Sequence, residues 1–268
     1  MHFNIPIFKE LANSVMNRLK IGAYCVLCNR PSYQNLDICS DCDKWLAPRI
    51  LKKNSTSWHY LCVMCGSGQV KDGIDPLAGD KKKSKTDADV LYCCSSCQNI
   101  DSIFHRIVAP YRYEFPIDHI IGRMKYGQRR VFGRVLGGLL AASVKPLGSF
   151  PDVLVPVPLH TARQAERGYN QAADIARWCA VELDLQYKPL LASRAFDTGS
   201  LAGLSKAARQ LRILGAFRAS PDVKGCRIAI VDDVMTTGAT ARELARELYD
   251  TGALSVELWV LARTSNDR

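Results

Sequence analysis

The chain has 268 residues, enough for about two domains, and 47% of them are hydrophobic and 23% charged, a balance that excludes wholesale disorder. No run approaches the ~18 consecutive apolar residues of a membrane-spanning helix, and the opening MHFNIPIFKELANSVMNRLK lacks the apolar core of a secretory signal, so the chain is expected in the cytoplasm. The net charge of +10 suits a polyanion such as phosphate, diphosphate or nucleic acid, without naming one of them.

In residues 1–20, Phe8, Leu11, Val15 and Leu19 recur at helical spacing and predict a short helix. Its few basic residues favour packing on its own protein over anchoring to a membrane surface. Nine of the eleven cysteines then lie between Cys25 and Cys97. That break in composition divides the chain into a helix over 1–20, a cysteine-rich part over 21–101 and a remainder over 102–268. In a reducing compartment these cysteines are not expected to form disulfides.

Four Cys-x2-Cys pairs stand out: Cys25 and Cys28, Cys39 and Cys42, Cys62 and Cys65, Cys94 and Cys97. Each turn folds two thiolates toward one point, and two turns complete a tetrahedral zinc site. Two structural zinc ions are therefore expected. Neighbouring pairs would combine, Cys25, Cys28, Cys39 and Cys42 in one site and Cys62, Cys65, Cys94 and Cys97 in the other; spacing alone also allows an interleaved pairing. Iron–sulfur or redox chemistry is the alternative use. Cys94 rather than its neighbour Cys93 keeps the regular spacing, and His59 reads as a surface histidine. With every corner a thiolate, such sites keep no open position for catalysis. Residues 71–89, which include Lys81, Lys82, Lys83 and Lys85, read as a solvated loop.

Beyond residue 101, β-branched runs alternate with helical patterns, the signature of an α/β domain with a parallel sheet. Upstream, Lys125, Arg129 and Arg130 add positive charge; for the two arginines a solvated helix face is the competing reading. Val153 to Val157 reads as a strand whose exit is stiffened by Pro156 and Pro158. Arg163 and Arg167 follow, two guanidinium forks suited to diphosphate oxygens. His160 stands just before them, and Gly168 and Asn170 lead by a turn into a helix from Gln171. Cys179 and Cys226 read as small buried apolar residues.

The segment CRIAIVDDVMTTGATARELARELYDTGA carries the most chemistry. Ile228 to Val231 reads as a strand, followed by Asp232 and Asp233. The turn from Met235 through Thr236, Thr237, Gly238, Ala239 and Thr240 then opens a helix with Leu244 and Leu248 on one face. Free backbone N–H groups and the dipole at a helix start favour phosphate. The threonines add hydroxyl donors, and Gly238 permits close backbone approach. The carboxylates stand where they can accept from sugar hydroxyls, so one ligand, a ribose bearing a 5-phosphate, satisfies both groups. An ordinary capped helix after a buried strand would use one threonine but leave adjacent carboxylates paying for desolvation. No Gly-Lys-Ser/Thr occurs in this segment, which excludes a Walker A loop.

This segment resembles the type I phosphoribosyltransferase signature. VLVPVPLHTARQAERGYNQAADIAR resembles the PVPL…R…RG-[FY]-NQ-A stretch of the ComF family, RMKYGQRR is similar to that family's lysine segment, and Arg194, Thr198, Leu204, Arg209 and Gly215-Ala216-Phe217 fit its R…T…L…R…GAF stretch. The resemblance extends from Cys25 to Arg263. It implies a type I phosphoribosyltransferase domain, an α/β fold with a Rossmann-like parallel sheet, behind an N-terminal double zinc ribbon. It implies 5-phosphoribosyl 1-diphosphate (PRPP) as ligand with Mg²⁺. Asp232 and Asp233 would be the catalytic pair, and Thr236, Thr237, Gly238, Ala239, Thr240, Arg163, Arg167 and Lys125 would bind PRPP. It also implies a part in DNA uptake and natural transformation, with single-stranded DNA and competence proteins as partners. Turnover on an unidentified small acceptor, as in a GntX-like protein, and PRPP sensing without turnover are the alternatives. Leu201 and Arg212 depart from the Gln and Asn usual in the family. Thr236 stands where relatives acting on 6-oxopurines carry an Asp, and a threonine cannot serve as that base, which argues against hypoxanthine or guanine.

Overall fold

The computed structural model describes residues 23–32, 36–46, 57–61, 68–72, 103–126, 131–197 and 206–264, with residues 57–61, 68–72, 206, 207, 209 and 210 among those described in their backbone alone. The expected helix over 1–20, the lysine run, Cys62, Cys65, Cys93, Cys94, Cys97, Arg129, Arg130, Thr198, Leu201 and Leu204 lie outside these residues. The chain divides after Ala47 into two units.

In the first unit, Ala23–Tyr24 (β1) and Pro31–Ser32 (β2) pair antiparallel with Tyr24 opposite Pro31, and the helix Ser40–Trp45 (α1) follows. Among the described residues of this unit, Cys25, Cys39, Ile38 and Leu46 are the buried apolar ones.

The second unit begins with the antiparallel strands Ser57–Leu61 (β3) and Gly68–Asp72 (β4), Ser57 facing Asp72. Lys71 and Asp72 therefore close a strand, where the sequence predicted a loop. Next come strands Arg106–Val108 (β5) and Tyr111–Arg112 (β6), helices Ile117–Tyr126 (α2) and Val131–Val144 (α3), strand Val153–Pro156 (β7), helices Thr161–Arg167 (α4) and Gln171–Leu183 (α5), and strands Gln186–Tyr187 (β8) and Ala192–Arg194 (β9). The unit ends with helix Lys206–Ile213 (α6), strand Phe217–Ala219 (β10), strand Arg227–Met235 (β11), helix Ala239–Asp250 (α7) and strand Ser255–Arg263 (β12).

Six of these strands form one sheet in the order β5-β12-β11-β7-β8, with β6 also paired to β12, and every pairing is parallel. Strands of a parallel sheet are covered on both faces and so read as continuous apolar runs rather than alternating ones. Ile228 to Val231 and Leu258 to Ala262 are such runs, all buried. Ile230 lies opposite Val155 on one side and Leu258 on the other.

The strand predicted to stop at Val231 continues to Met235. Its neighbour β12 is long enough to pair the extra residues, with Asp232 opposite Val260, Val234 opposite Ala262 and Met235 opposite Arg263. On the other side, pairing with β7 ends at Val231 and Pro156. The acidic pair thus projects past the end of β7. Strand β7 leads through α5 to β8 on one side, while β11 lies on its other side, so the order in which strands are added reverses between β7 and β11. In open α/β sheets the crevice at the carboxyl ends of the strands, at such a reversal, is where ligands bind.

Helices α3 and α5 pack at unusually close range. A Cβ added to Gly137 would stand 2.6 Å from Trp178 Cβ and 2.7 Å from the Ile175 carbonyl, and one added to Gly133 would stand 2.8 Å from Asp174 Cβ. Gly137→Ala is expected to lower stability by about 1–2 kcal/mol, the overpacking cost less the gain in helix propensity, as read from urea unfolding. Among the described residues no helix is long and apolar enough to cross a membrane.

Candidate functional site

In the first unit, backbone bonds shape each thiol pair. The Cys25 carbonyl accepts from Asn29 N–H at 2.8 Å, and Asn29 takes φ +59°, a left-handed conformation that asparagine tolerates. Cys39 is the N-cap of α1, which places Cys42 in its first turn. The sulfurs of Cys25, Cys28, Cys39 and Cys42 all lie within 4.8 Å of one another, with Cys28 and Cys39 3.6 Å apart. Corners of a tetrahedron about 2.3 Å from a metal stand about 3.8 Å apart, so the four thiols fit one zinc-sized ion. Here the neighbouring pairs combine rather than interleave. Burial opposes ionisation of Cys25, but hydrogen bonds from the backbone of Cys39, Cys28 and Leu27 and from the Cys28 thiol bring it down to about 6. Cys42 is pushed up, first by burial and then by the other three sulfurs. The four thiols compete for charge, and a bound dication would relieve that competition.

In the second unit, β11 carries Asp232 and Asp233 to the crevice. Asp233 N–H donates to Asp232 Oδ1 at 2.9 Å. Burial pushes the Asp232 carboxyl up to about 7, and Asp233 adds to the rise against the pull of Lys125 and Arg194. Lys125, in the last turn of α2, places its Nζ 2.8 Å from Asp233 Oδ2. Burial works against the charge on Lys125, yet Asp233 and then Asp232 hold it above the ordinary lysine range. The lysine expected beside a diphosphate thus faces the acidic pair. Tyr169, from the RG-Y-NQ stretch, donates its hydroxyl to the Met124 carbonyl and anchors that turn of α2.

After Met235 the chain turns sharply. Gly238 is the N-cap of α7 with φ +72°, where a side chain would be strained. Thr237 Oγ1 accepts from Ala239 N–H at 3.4 Å. A cavity follows this turn, lined by Asp232, residues 234–241, Leu258 and Val260. Thr236, Thr237, Gly238, Ala239 and Thr240 therefore share one concave surface with a carboxylate. A helix start leaves its first N–H groups without partners inside the helix, so the surface can receive an anion.

Arg163 and Arg167 both lie on α4, which His160 caps by accepting from Ala162 N–H through Nδ1. Arg163 Nε is 3.8 Å from Asp197, and Arg167 Nη1 donates to Gln171 Oε1 at 3.4 Å. Asn170 begins α5 as predicted, accepting from Ala173 N–H and donating to the Val157 carbonyl, which ties the loop to the end of β7.

Arg194 received no role from local spacing. It lies opposite Phe217 across the β9–β10 pair with its guanidinium 5.7 Å from that ring. Burial holds it below the ordinary arginine range, helped by Arg163 and opposed by Asp197 and Asp232. The R…GAF stretch is thus a strand pairing that brings a half-buried cation within electrostatic reach of Asp232. Cys179 is fully buried as predicted, whereas Cys226 is half-buried at the edge of the core, at the turn into β11.

The phosphoribosyl transferase domain family matches residues 150–268, in keeping with the parallel sheet, which has the type I phosphoribosyltransferase fold. DNA utilization protein YhgH of Salmonella typhimurium is 28% identical over 256 residues, covering 92% of this chain and 99% of that protein. Competence protein F of Haemophilus influenzae is 30% identical over 226 residues, covering 77% and 98%. Competence protein ComFC of Bacillus subtilis is 26% identical over 251 residues, covering 90% and 95%.

Proposed function

The chain belongs to the ComF family, and from that premise we propose that it binds PRPP in the crevice beside β11 and acts in DNA uptake by handling single-stranded DNA. The observation that carries the reading is the juxtaposition of two carboxylates and an open helix start on one strand–turn–helix segment. A ribose 5-phosphate unit has the same two features, an anion at one end and hydroxyls at the other. The 5-phosphate lies against Thr236 to Thr240, and Asp232 and Asp233 accept from the ribose hydroxyls. Arg163 and Arg167 meet the diphosphate, with Lys125 arriving from α2. The names of the relatives, DNA utilization protein and competence protein, support the assignment to DNA uptake. The charge of +10 suits a nucleic-acid partner.

A magnesium ion travelling with the diphosphate fits the oxygen donors Asp232 and Asp233 offer. Burial, with Asp233 beside it, raises Asp232 to about 7, and a bound cation would favour its charged form. When bound, the ion would neutralise the leaving diphosphate. Zinc fits the four thiols of the first unit, and a second zinc site is proposed from Cys62, Cys65, Cys94 and Cys97. Turnover on a small acceptor is a second reading, supported by the description of the matching family.

Calorimetric titration with PRPP and Mg²⁺ tests the site. Asp233→Asn is expected to weaken binding about tenfold or more through loss of a charged hydrogen-bond acceptor. Wild-type protein that takes up no PRPP would sink the reading. The DNA role is tested by retention of single-stranded DNA that falls with rising salt; retention indifferent to salt, or none, counts against it.

A further inference from the structure

Arg242 stands where a helix least favours a cation. It lies in the first turn of α7, where the backbone dipole is positive and acidic side chains are the stabilising choice. Among the described residues no carboxylate pairs with it. The adjacent Glu243 is committed to Arg246 at 3.0 Å and to Gly215 N–H at 2.8 Å. The charges felt by Arg242 are those of Arg246 and Arg263, and burial together with these two holds it below the ordinary arginine range. Arg263 ends β12 opposite Met235, and its Nη1 is buried with no hydrogen-bond partner among the described residues.

The guanidinium of Arg242 reaches back to the turn. Its Nη2 donates to the Thr237 carbonyl. The guanidinium folds over Gly238, where an added Cβ would stand 3.4 Å from both terminal nitrogens and from Met235 Sδ. In a trans peptide the carbonyl and the following N–H point in opposite directions. A guanidinium holding the Thr237 carbonyl therefore turns Gly238 N–H the other way, and the charge polarises that N–H as a donor. Gly238 lines the cavity. Positive charge gathered at a helix start without a counter-charge is relieved by an anionic ligand of high charge density, such as a phosphate monoester.

We propose that Arg242 is a positioning residue of the 235–241 turn, aligning the Thr237–Gly238 peptide so that Gly238 N–H donates to the phosphate of a phosphopentose. This rests on the ribose 5-phosphate site proposed above and adds to it a residue outside the cavity lining, acting through the backbone.

The test uses the full chain, ribose 5-phosphate as the probe, and two readouts: affinity by calorimetry, and the Gly238 amide proton by NMR. In the wild type the amide proton moves downfield on titration. Arg242→Gln is expected to weaken binding roughly tenfold or more, the value of a charge-assisted hydrogen bond, and to abolish the downfield move. Arg242→Lys keeps a charged donor within reach of the carbonyl and recovers most of both, and it carries the test if the glutamine variant does not fold. Arg242→Gln matching the wild type in affinity and shift overturns the inference, and so does Arg242→Lys behaving no better than Arg242→Gln. Wild-type protein that binds neither ribose 5-phosphate nor PRPP overturns the site itself, a failure distinct from the other two.

Discussion

Cys39→Ser is expected to lose one equivalent of zinc per chain and to unfold the segment from Ala23 to Leu46. Among the described residues of that segment only Cys25, Cys39, Ile38 and Leu46 are buried apolar ones, far short of what holds so short a segment together on burial alone. Structural zinc supplies about 10–16 kcal/mol in comparable small modules, and the metal-free forms are unfolded. Cys39 has two tasks, since it is both a candidate ligand and the N-cap of α1. Losing it opens the cluster and frees the helix start. Metal content after exhaustive dialysis, together with limited proteolysis between residues 23 and 46, reads the outcome. Full zinc content with unchanged protease resistance would contradict it. Because thiolates bind zinc and thiols do not, the wild type should release its zinc as pH falls.

Arg106→Leu is expected to lower stability by about 3–5 kcal/mol in urea unfolding near neutral pH. Arg106 on β5 lies opposite Glu257 on β12, and both side chains are about nine-tenths buried. Arg106 Nη2 is 2.9 Å from both Glu257 oxygens, and Nε adds a contact of 3.1 Å. Trp259 Nε1 donates to Glu257 at 2.8 Å, and the Ser149 carbonyl takes a further bond from Arg106 at 3.0 Å. The pair closes an edge of the sheet, with each hydrogen-bonding group provided for. Removing the arginine leaves a buried carboxylate without its counter-charge, and that uncompensated charge dominates the cost. The double variant Arg106→Leu/Glu257→Leu should recover much of the loss, since neither charge is then stranded. A single variant within about 1 kcal/mol of the wild type, below the usual cost of an unpaired buried group, would contradict the argument.

Local chemistry made much of the candidate site legible. A Cys-x2-Cys turn brings two sulfurs together within a few residues, so the convergence of the first four thiols needed little more than spacing. Gly168, Asn170 and Gln171 mark a helix start by the capping preference of asparagine, and α5 begins there. The turn after Met235 announced itself through its glycine and threonines for the same reason: the interactions that shape it span only a few residues.

What lay beyond the sequence involves partners distant along the chain. Strand β11 outran its predicted end because β12 supplies pairing for Asp232 to Met235, and strand length depends on the neighbour as much as on composition. Arg242 went unmarked because its contact runs against the usual direction of helix charge and shows only once the turn is folded.

The parallel α/β class, the strand–turn–helix that lines the cavity and the first cluster of thiols are all encoded in short-range periodicity, capping and spacing, and so can be read from the order of residues. That Lys125 faces Asp233, that Asp232 acts on Arg194 and that α3 lies against α5 with no room for a Cβ at Gly137 follow from the packed fold alone. Those pairings follow from the order of strands in the sheet and the seating of helices on it, and the free energy that selects them belongs to the packed whole.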